Sequence, residues 1–82
     1  MSFFSQARLN EEAAGFEAAA RRSDAAARSG EQDAKDPNVS TYTQGVASRC
    51  AAIARSNAHE YREIAAALRD GEIPDCLNLE EE

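Results

Sequence analysis

Apolar side chains recur with a helical period along the second half of the chain. Between residues 42 and 68, successive members of the pattern are three or four positions apart, and nothing alternates as a strand does. At about 100° per residue, they fall within an arc of roughly 100° on one helix face. This large-residue stripe consists of Tyr42, Val46, Cys50, Ile53, Asn57, Tyr61, Ile64 and Leu68. Alanines continue the face on one side, which predicts close approach by a neighbouring helix there.

Both ends of this segment carry residues that start and stop helices. Thr41 and Gln44 have the spacing of a capping box, and Pro37 is an alternative start about one turn earlier. At the other end, Gly71 and the proline that follows it predict a stop, with Gly71 in the left-handed conformation. We therefore predict a helix over about residues 40–70.

A second apolar pattern, with fewer large side chains, precedes this helix between residues 6 and 29. Its members lie on one side of a predicted helix and are Leu9, Ala13, Phe16, Ala20 and Ala27. Gly30 is the predicted stop, and the polar residues 30–39 suit a connection between antiparallel helices. Residues 71–82 form a tail in which Leu77 and Leu79 are expected to pack into a groove. The predicted fold is all-α, a single helical domain built as an antiparallel two-helix hairpin.

Composition predicts that this hairpin has a thin core of its own. Leu, Ile, Val and Phe make up 12 of 82 residues, below the rough 20% that separates most globular chains from disordered ones of high charge. The 18 alanines favour well-formed helices that bury little side-chain volume. Small chains of this kind usually need a partner, so we expect a homodimer in which the large-residue stripes help to form a four-helix bundle. The alternative is a monomeric hairpin that completes its core on another protein.

The charge balance narrows the kinds of partner. The formal net charge of −6 argues against direct binding of nucleic acid through a basic face, and it is compatible with a basic protein partner. No apolar run approaches 18 residues, and the first residues lack the basic and long apolar regions of a signal peptide. We therefore expect no membrane association and a cytoplasmic protein whose Cys50 and Cys76 are reduced thiols.

The titratable residues do not combine into a recognisable catalytic or metal-binding set. His59 is the single histidine, and on a helical wheel it lies about 180° from Cys50, so the two do not share a metal within one helix. The two cysteines match no zinc or redox spacing, and no glycine-rich phosphate loop is present. Cys50 is interpreted as a buried thiol and Cys76 as an exposed one. We expect no catalytic residues, no cofactor and no metal, and hence no enzyme.

Two further groups are candidate partner contacts, and each has a simpler structural interpretation. Arg55, Arg62 and Arg69 are seven apart on one side of the second helix. They either form a solvated flank that pairs with acids of the first helix or the tail, or they grip an acidic partner. Phe3 and Phe4 either cap the end of a bundle or form an exposed apolar anchor for a partner.

The function that these patterns favour is a non-enzymatic protein–protein interaction module, an adaptor, regulator or inhibitor of another protein. Small acidic helical proteins are common among bacteriophage accessory proteins that bind host factors, which is an analogy of class alone. The alternative is an acidic mimic of nucleic acid that occupies a basic groove, which requires carboxylates clustered on one face. A third hypothesis is a metal- or cofactor-binding bundle assembled from oligomer copies of Glu or His. No motif identifies the chain as a member of a known family.

Asn57 is the polar interruption of the large-residue stripe, and it leads to a prediction. Either the stripe opens here and Asn57 reaches water, or Asn57 pairs across a two-fold axis and fixes the register of a helical assembly. On the second interpretation, Asn57→Leu raises the melting temperature measured by circular dichroism and broadens the oligomer distribution measured by light scattering. A lower melting temperature with an unchanged dimer would contradict that interpretation.

Overall fold

The chain folds into two long helices joined by a short turn. The computed structural model describes residues 4–77, and within them α1 spans Gln6–Lys35 and α2 spans Thr41–Arg69. Each helix is about 45 Å long at 1.5 Å per residue, and the two pack side by side as an antiparallel hairpin. The prediction of an all-α helical hairpin is confirmed. Within the described range, no helix combines the length and the apolarity needed to span a membrane.

The first helix is longer than the sequence predicted, because Gly30 lies inside it. α1 runs to Lys35 rather than to residue 29, and the predicted connection over residues 30–39 shrinks to residues 36–40. A Cβ at Gly30 would lie 3.0 Å from the Ala47 carbonyl oxygen and 3.2 Å from the Ala51 Cβ. Glycine at this position therefore allows close approach of α2 and does not end the helix.

Local hydrogen bonds fix both ends of the connection. Asp36 is extended and ends α1, as expected for a residue that precedes proline. Ser40 caps α2, and its hydroxyl accepts a hydrogen bond from the Thr43 amide at 3.1 Å, so the prediction of Thr41 as the cap was wrong by one residue. The Gln44 side chain donates to the Asp36 carbonyl at 2.7 Å and thereby joins the first turn of α2 to the end of α1.

The second helix ends in a Schellman motif at the predicted glycine. Gly71 has a φ of 86°, and its amide donates to the Leu68 carbonyl at 3.0 Å. The Glu72 amide donates to the Ala67 carbonyl at 2.9 Å, which completes the motif. The Gln6 side chain donates to the Leu68 carbonyl at 3.1 Å, so the start of α1 also satisfies the end of α2.

Small side chains form most of the contact between the helices. The buried residues of the described range are Leu9, Ala13, Ala20 and Ala27 in α1, and Ala51, Ala58, Ala65 and Leu68 in α2. Alanine recurs at every seventh position on both helices, and such a heptad repeat keeps one face of each helix turned toward the other. On α2 it is therefore the alanine side that packs against α1. Of the large-residue stripe, only Leu68 is buried.

The larger core side chains lie at the open end of the hairpin, where the start of α1 packs beside the end of α2. Leu9 and Leu68 form a cluster there with neighbouring alanines, and Phe4, Ile64 and Leu77 pack against it while remaining half-buried. Leu77 thus packs as expected for the tail. Leu79, the second tail residue expected to do so, lies outside the described residues.

The two helical glycines of α1 lead to a matched prediction. A methyl group added at Gly15 would have no atom within 4 Å, whereas one added at Gly30 would lie 3.0 Å from a backbone oxygen. We expect Gly15→Ala to raise the free energy of unfolding by about 1 kcal/mol through helix propensity, and Gly30→Ala to lower it by about 1 kcal/mol because the helices must move apart. Urea unfolding followed by circular dichroism measures both. Equal gains for the two variants would contradict the close contact at Gly30.

Candidate functional site

One flank of the hairpin is closed by ion pairs between the helices. Three arginines of α2 face three acids of α1, and both sets are spaced by seven residues. Because the helices are antiparallel, each arginine meets one acid in order along the flank. We call this set the arginine flank, and its pairs are Arg69–Glu17, Arg62–Asp24 and Arg55–Glu31.

The geometry of these pairs is that of charge-assisted hydrogen bonds. Arg69 binds Glu17 with two nitrogens, Nη2 at 2.6 Å and Nε at 3.0 Å from the two carboxylate oxygens. Arg55 Nη2 lies 2.8 Å from Glu31 Oε1, and its Nη1 lies 3.2 Å from Asp24 Oδ1. Asp24 therefore bridges two arginines, and its side chain is 18% exposed, the least of the three acids.

The arginines shift the titration of their partners. The hydrogen bond from Arg69 lowers the pKa of Glu17, and the hydrogen bond from Arg55 lowers the pKa of Glu31. The hydrogen bond from Arg62, with the added charge of Arg55, lowers the pKa of Asp24. In return, Glu17 raises the pKa of Arg69, and Glu31 raises that of Arg55. The flank thus consists of charged groups whose positive and negative charges balance one another.

The arginines of this flank are three of the residues that the sequence predicted as possible partner contacts. Arg55, Arg62 and Arg69 are engaged with α1, which is the arrangement of a solvated flank. The sequence carried a signal for this pairing, since the acids of α1 at positions 17, 24 and 31 repeat with the same spacing as the arginines. Phe4 is half-buried at the open end, with the Arg8 guanidinium 5.6 Å from its ring centroid, whereas Phe3 lies outside the described residues.

The large-residue stripe lies beside the opposite flank and is mostly exposed. Tyr42 is 78% exposed and Ile53 is 62% exposed, and these are the two most exposed large apolar side chains of residues 4–77. We call this surface the α2 outer face, and it consists of Tyr42, Val46, Cys50, Ile53, Asn57 and Ile64. Val46 and Ile64 are half-buried, and the other four are exposed. No member of this face is charged.

The exposure of the two cysteines can be compared with the sequence interpretation. Cys50, interpreted from the sequence as buried, is exposed, because α1 covers the alanine side of α2 and not the stripe. Cys76 is exposed as expected. Asn57 is exposed in the single hairpin, so no residue of α1 shields its amide from water.

The first helix supplies little to cover the α2 outer face. Tyr61 lies between this face and the buried alanines, and its ring packs on Phe16 with centroids 6.1 Å apart and an interplanar angle of 40°. A shallow groove runs along this junction and is lined by Glu12, Gly15, Phe16, Ala19 and Tyr61. Besides Glu12 and Phe16, α1 contributes only the small residues Gly15 and Ala19 to this lining.

The remaining titratable residues stay dispersed. His59 is exposed, and its Nε2 lies 2.9 Å from Glu63 Oε1 one turn along the same helix. Across residues 4–77, no three His, Cys, Asp or Glu side chains come together as a metal-binding group. The exposed groups of the α2 outer face are the side chains of Tyr42 and Ile53, the Cys50 thiol and the Asn57 amide.

Comparison with known proteins gave no match, whether to a family model, to a curated protein or to a solved structure.

The arginine flank predicts a pH dependence of stability. Carboxyl groups with a lowered folded-state pKa stabilise the fold above their ordinary pKa, and this contribution is lost as the pH falls through the lowered pKa. The melting temperature should therefore drop as the pH falls below about 4.5 at low salt. A triple variant, Glu17→Gln/Asp24→Asn/Glu31→Gln, should have a lower melting temperature than wild type near neutral pH. Its melting temperature should also change less as the pH falls into the acidic range.

Circular dichroism melts of both proteins at several pH values measure this difference. Other carboxyl groups titrate in the same range and contribute to both curves, so the readout is the difference between wild type and variant. Parallel curves for the two proteins would show that the three pairs do not stabilise the folded hairpin.

Proposed function

We propose that this protein is a small non-enzymatic protein–protein interaction module that acts through the α2 outer face, and that two hairpins associate into a four-helix bundle. The observation that carries the proposal is the exposure of Tyr42 and Ile53, at 78% and 62%, on a face without charged members. Contiguous exposed apolar surface of this kind is typical of interaction sites. Tyr is also among the residues that contribute most to binding at interfaces.

The thin core of the hairpin supports the same proposal. Leu68 is the largest side chain that is fully buried in the described range, and most other core positions are alanine. Apolar burial contributes roughly 25 cal/mol per Å², so alanine-rich contacts stabilise a small chain less than contacts between large side chains do. Association through the outer face would add the large side chains that the hairpin leaves in water.

The biological role that fits such a module is that of an adaptor, regulator or inhibitor of another protein. A mimic of nucleic acid would need unpaired carboxylates clustered on one face. The acids that repeat along α1, Glu17, Asp24 and Glu31, are instead paired with arginines. This pairing counts against the mimic, and we favour contact through apolar surface.

The test uses two single glutamate substitutions on α2. Ile53→Glu places a charge at the centre of the outer face and should abolish self-association, because the carboxylate would have to be desolvated there. Ala52→Glu adds the same charge at the neighbouring exposed position, about 100° around the helix, and should leave association intact. Light scattering measures the mass of each protein, and circular dichroism verifies that each is helical.

The same variants serve as baits for affinity capture from the native host, with mass spectrometry of the bound proteins. A partner retained by wild type and by Ala52→Glu, and lost with Ile53→Glu, would support the proposal. If wild type and Ile53→Glu have the same mass and capture the same proteins, the outer face is not an interaction surface and the proposal fails.

A further inference from the structure

Opposite charges border the two ends of the α2 outer face. Arg49 lies toward the N-terminal end, and Glu60 and Glu63 lie toward the C-terminal end, all three exposed. On the helical wheel Arg49 and Glu60 are within about 20° of each other, so they share one edge of the face. Within residues 4–77, Glu63 contacts His59 on its own helix, and neither Arg49 nor Glu60 forms an ion pair.

A groove lies at the same C-terminal end, between α2 and the tail. It encloses about 390 Å³. Its lining is Glu60, Glu63, Ile64, Ala67, Pro74 and Cys76, which is an apolar floor with two acids at the rim. At the N-terminal end, by contrast, Tyr42 projects from the helix and is 78% exposed. One end of this face therefore carries an exposed aromatic side chain, and the other end carries a groove with an acidic rim.

We propose that the outer face binds the same face of a second copy in antiparallel orientation, with the N-terminal end of each α2 in the groove of the other. This inference rests on the proposed function, and it adds the orientation and the register of the second copy. In this register Val46 lies opposite the second copy's Ile64, and Arg49 lies between the second copy's Glu60 and Glu63. Tyr42 then reaches the groove between α2 and the tail.

The antiparallel orientation follows from the positions of these groups along the helix. A two-fold axis perpendicular to α2, at the level of residue 55, exchanges its two ends and brings residues on the same edge together, as in an isologous interface. A parallel pair would leave Tyr42 about 27 Å or more from the groove along the helix axis, given the rise of 1.5 Å per residue. It would also leave Arg49 about 15 Å or more from both acids along the axis. Asn57 lies beside the second copy's Ile53 in the antiparallel register.

Disulfide trapping tests the register directly. Val46→Cys and Ile64→Cys are each made in a background in which Cys50 and Cys76 are replaced by serine. When the two chains are mixed and oxidised, a covalent 46–64 heterodimer is expected, because a disulfide needs Cα atoms about 4.4–6.8 Å apart. Each chain alone should cross-link at least about tenfold less, since equivalent positions lie about 27 Å apart along the axis. Efficient cross-linking of Val46→Cys with itself would show a parallel pair and overturn the inference.

Charge reversal tests the border contacts without cysteines. Arg49→Glu, and separately Glu60→Arg/Glu63→Arg, should weaken the dimer by about tenfold, since the two-fold axis makes each substitution count twice. Mixing the two variants, or combining all three substitutions in one chain, should restore wild-type affinity. Arg21→Glu is the control, with the same change of charge on an exposed residue of α1 beside the arginine flank.

Sedimentation equilibrium measures the dimer dissociation constants, and circular dichroism verifies folding of each variant. If both reversals bind as wild type does, or if the mixture does not recover, the antiparallel pairing is wrong. A protein that is monomeric at every concentration, but still loses a captured protein on Ile53→Glu, would overturn the self-pairing and the four-helix bundle, and would leave the outer face as a surface for another protein. A monomer whose captured proteins do not depend on Ile53 would overturn the proposed function as well.

Discussion

Close contact between two alanine-lined helix faces is the constraint on which the rest of the hairpin depends. At Gly30 an added methyl group would lie 3.0 Å from a carbonyl oxygen of α2, so the backbones there are nearly in contact. Packing this close determines which faces meet, because any larger side chain between the helices would separate them. It also buries little apolar volume, and Leu68 is the largest fully buried side chain of the described range. The large side chains are left to other surfaces.

The two flanks of this contact differ in chemistry: one is closed by ion pairs, and the other leaves apolar side chains exposed. On one flank, the heptad repeats of arginine and acid meet in antiparallel order, and a slip of either helix would separate the pairs. Ion pairs of this exposure contribute modestly to stability, yet they discriminate between registers. On the other flank, α1 presents glycine and alanine beside Phe16, and the exposed side chains of α2 extend past them. Register is thus specified on the charged flank, and apolar area is available on the uncharged one.

The thin core and the exposed face have a common cause. Both result from the position of the α2 outer face, whose residues lie about a quarter of a turn or more from the neighbouring alanines that contact α1. The helices are stabilised by their caps, by the Schellman motif and by the helix propensity of alanine, while side chains such as Ile53 remain exposed to water. Large side chains placed outside the intramolecular contact stay exposed in the single hairpin, and a partner that bound only the folded chain there would stabilise the fold.

The features that depend on local spacing could be predicted from the sequence. The helical periods, the buried face of α1 and the stop at Gly71 follow from side-chain repeats and from a glycine that adopts positive φ. The sequence did not predict which side of the wide α2 face meets α1, and therefore missed the exposure of Cys50, because an arc that wide can pack on either side. Nor did it predict that Gly30 admits a neighbouring helix, since glycine suits a helix end and a close contact equally well. The pairing of Arg62 with Asp24 could not be predicted without the alignment of α1 against α2, because the spacing along one helix does not tell which residues of the other lie opposite.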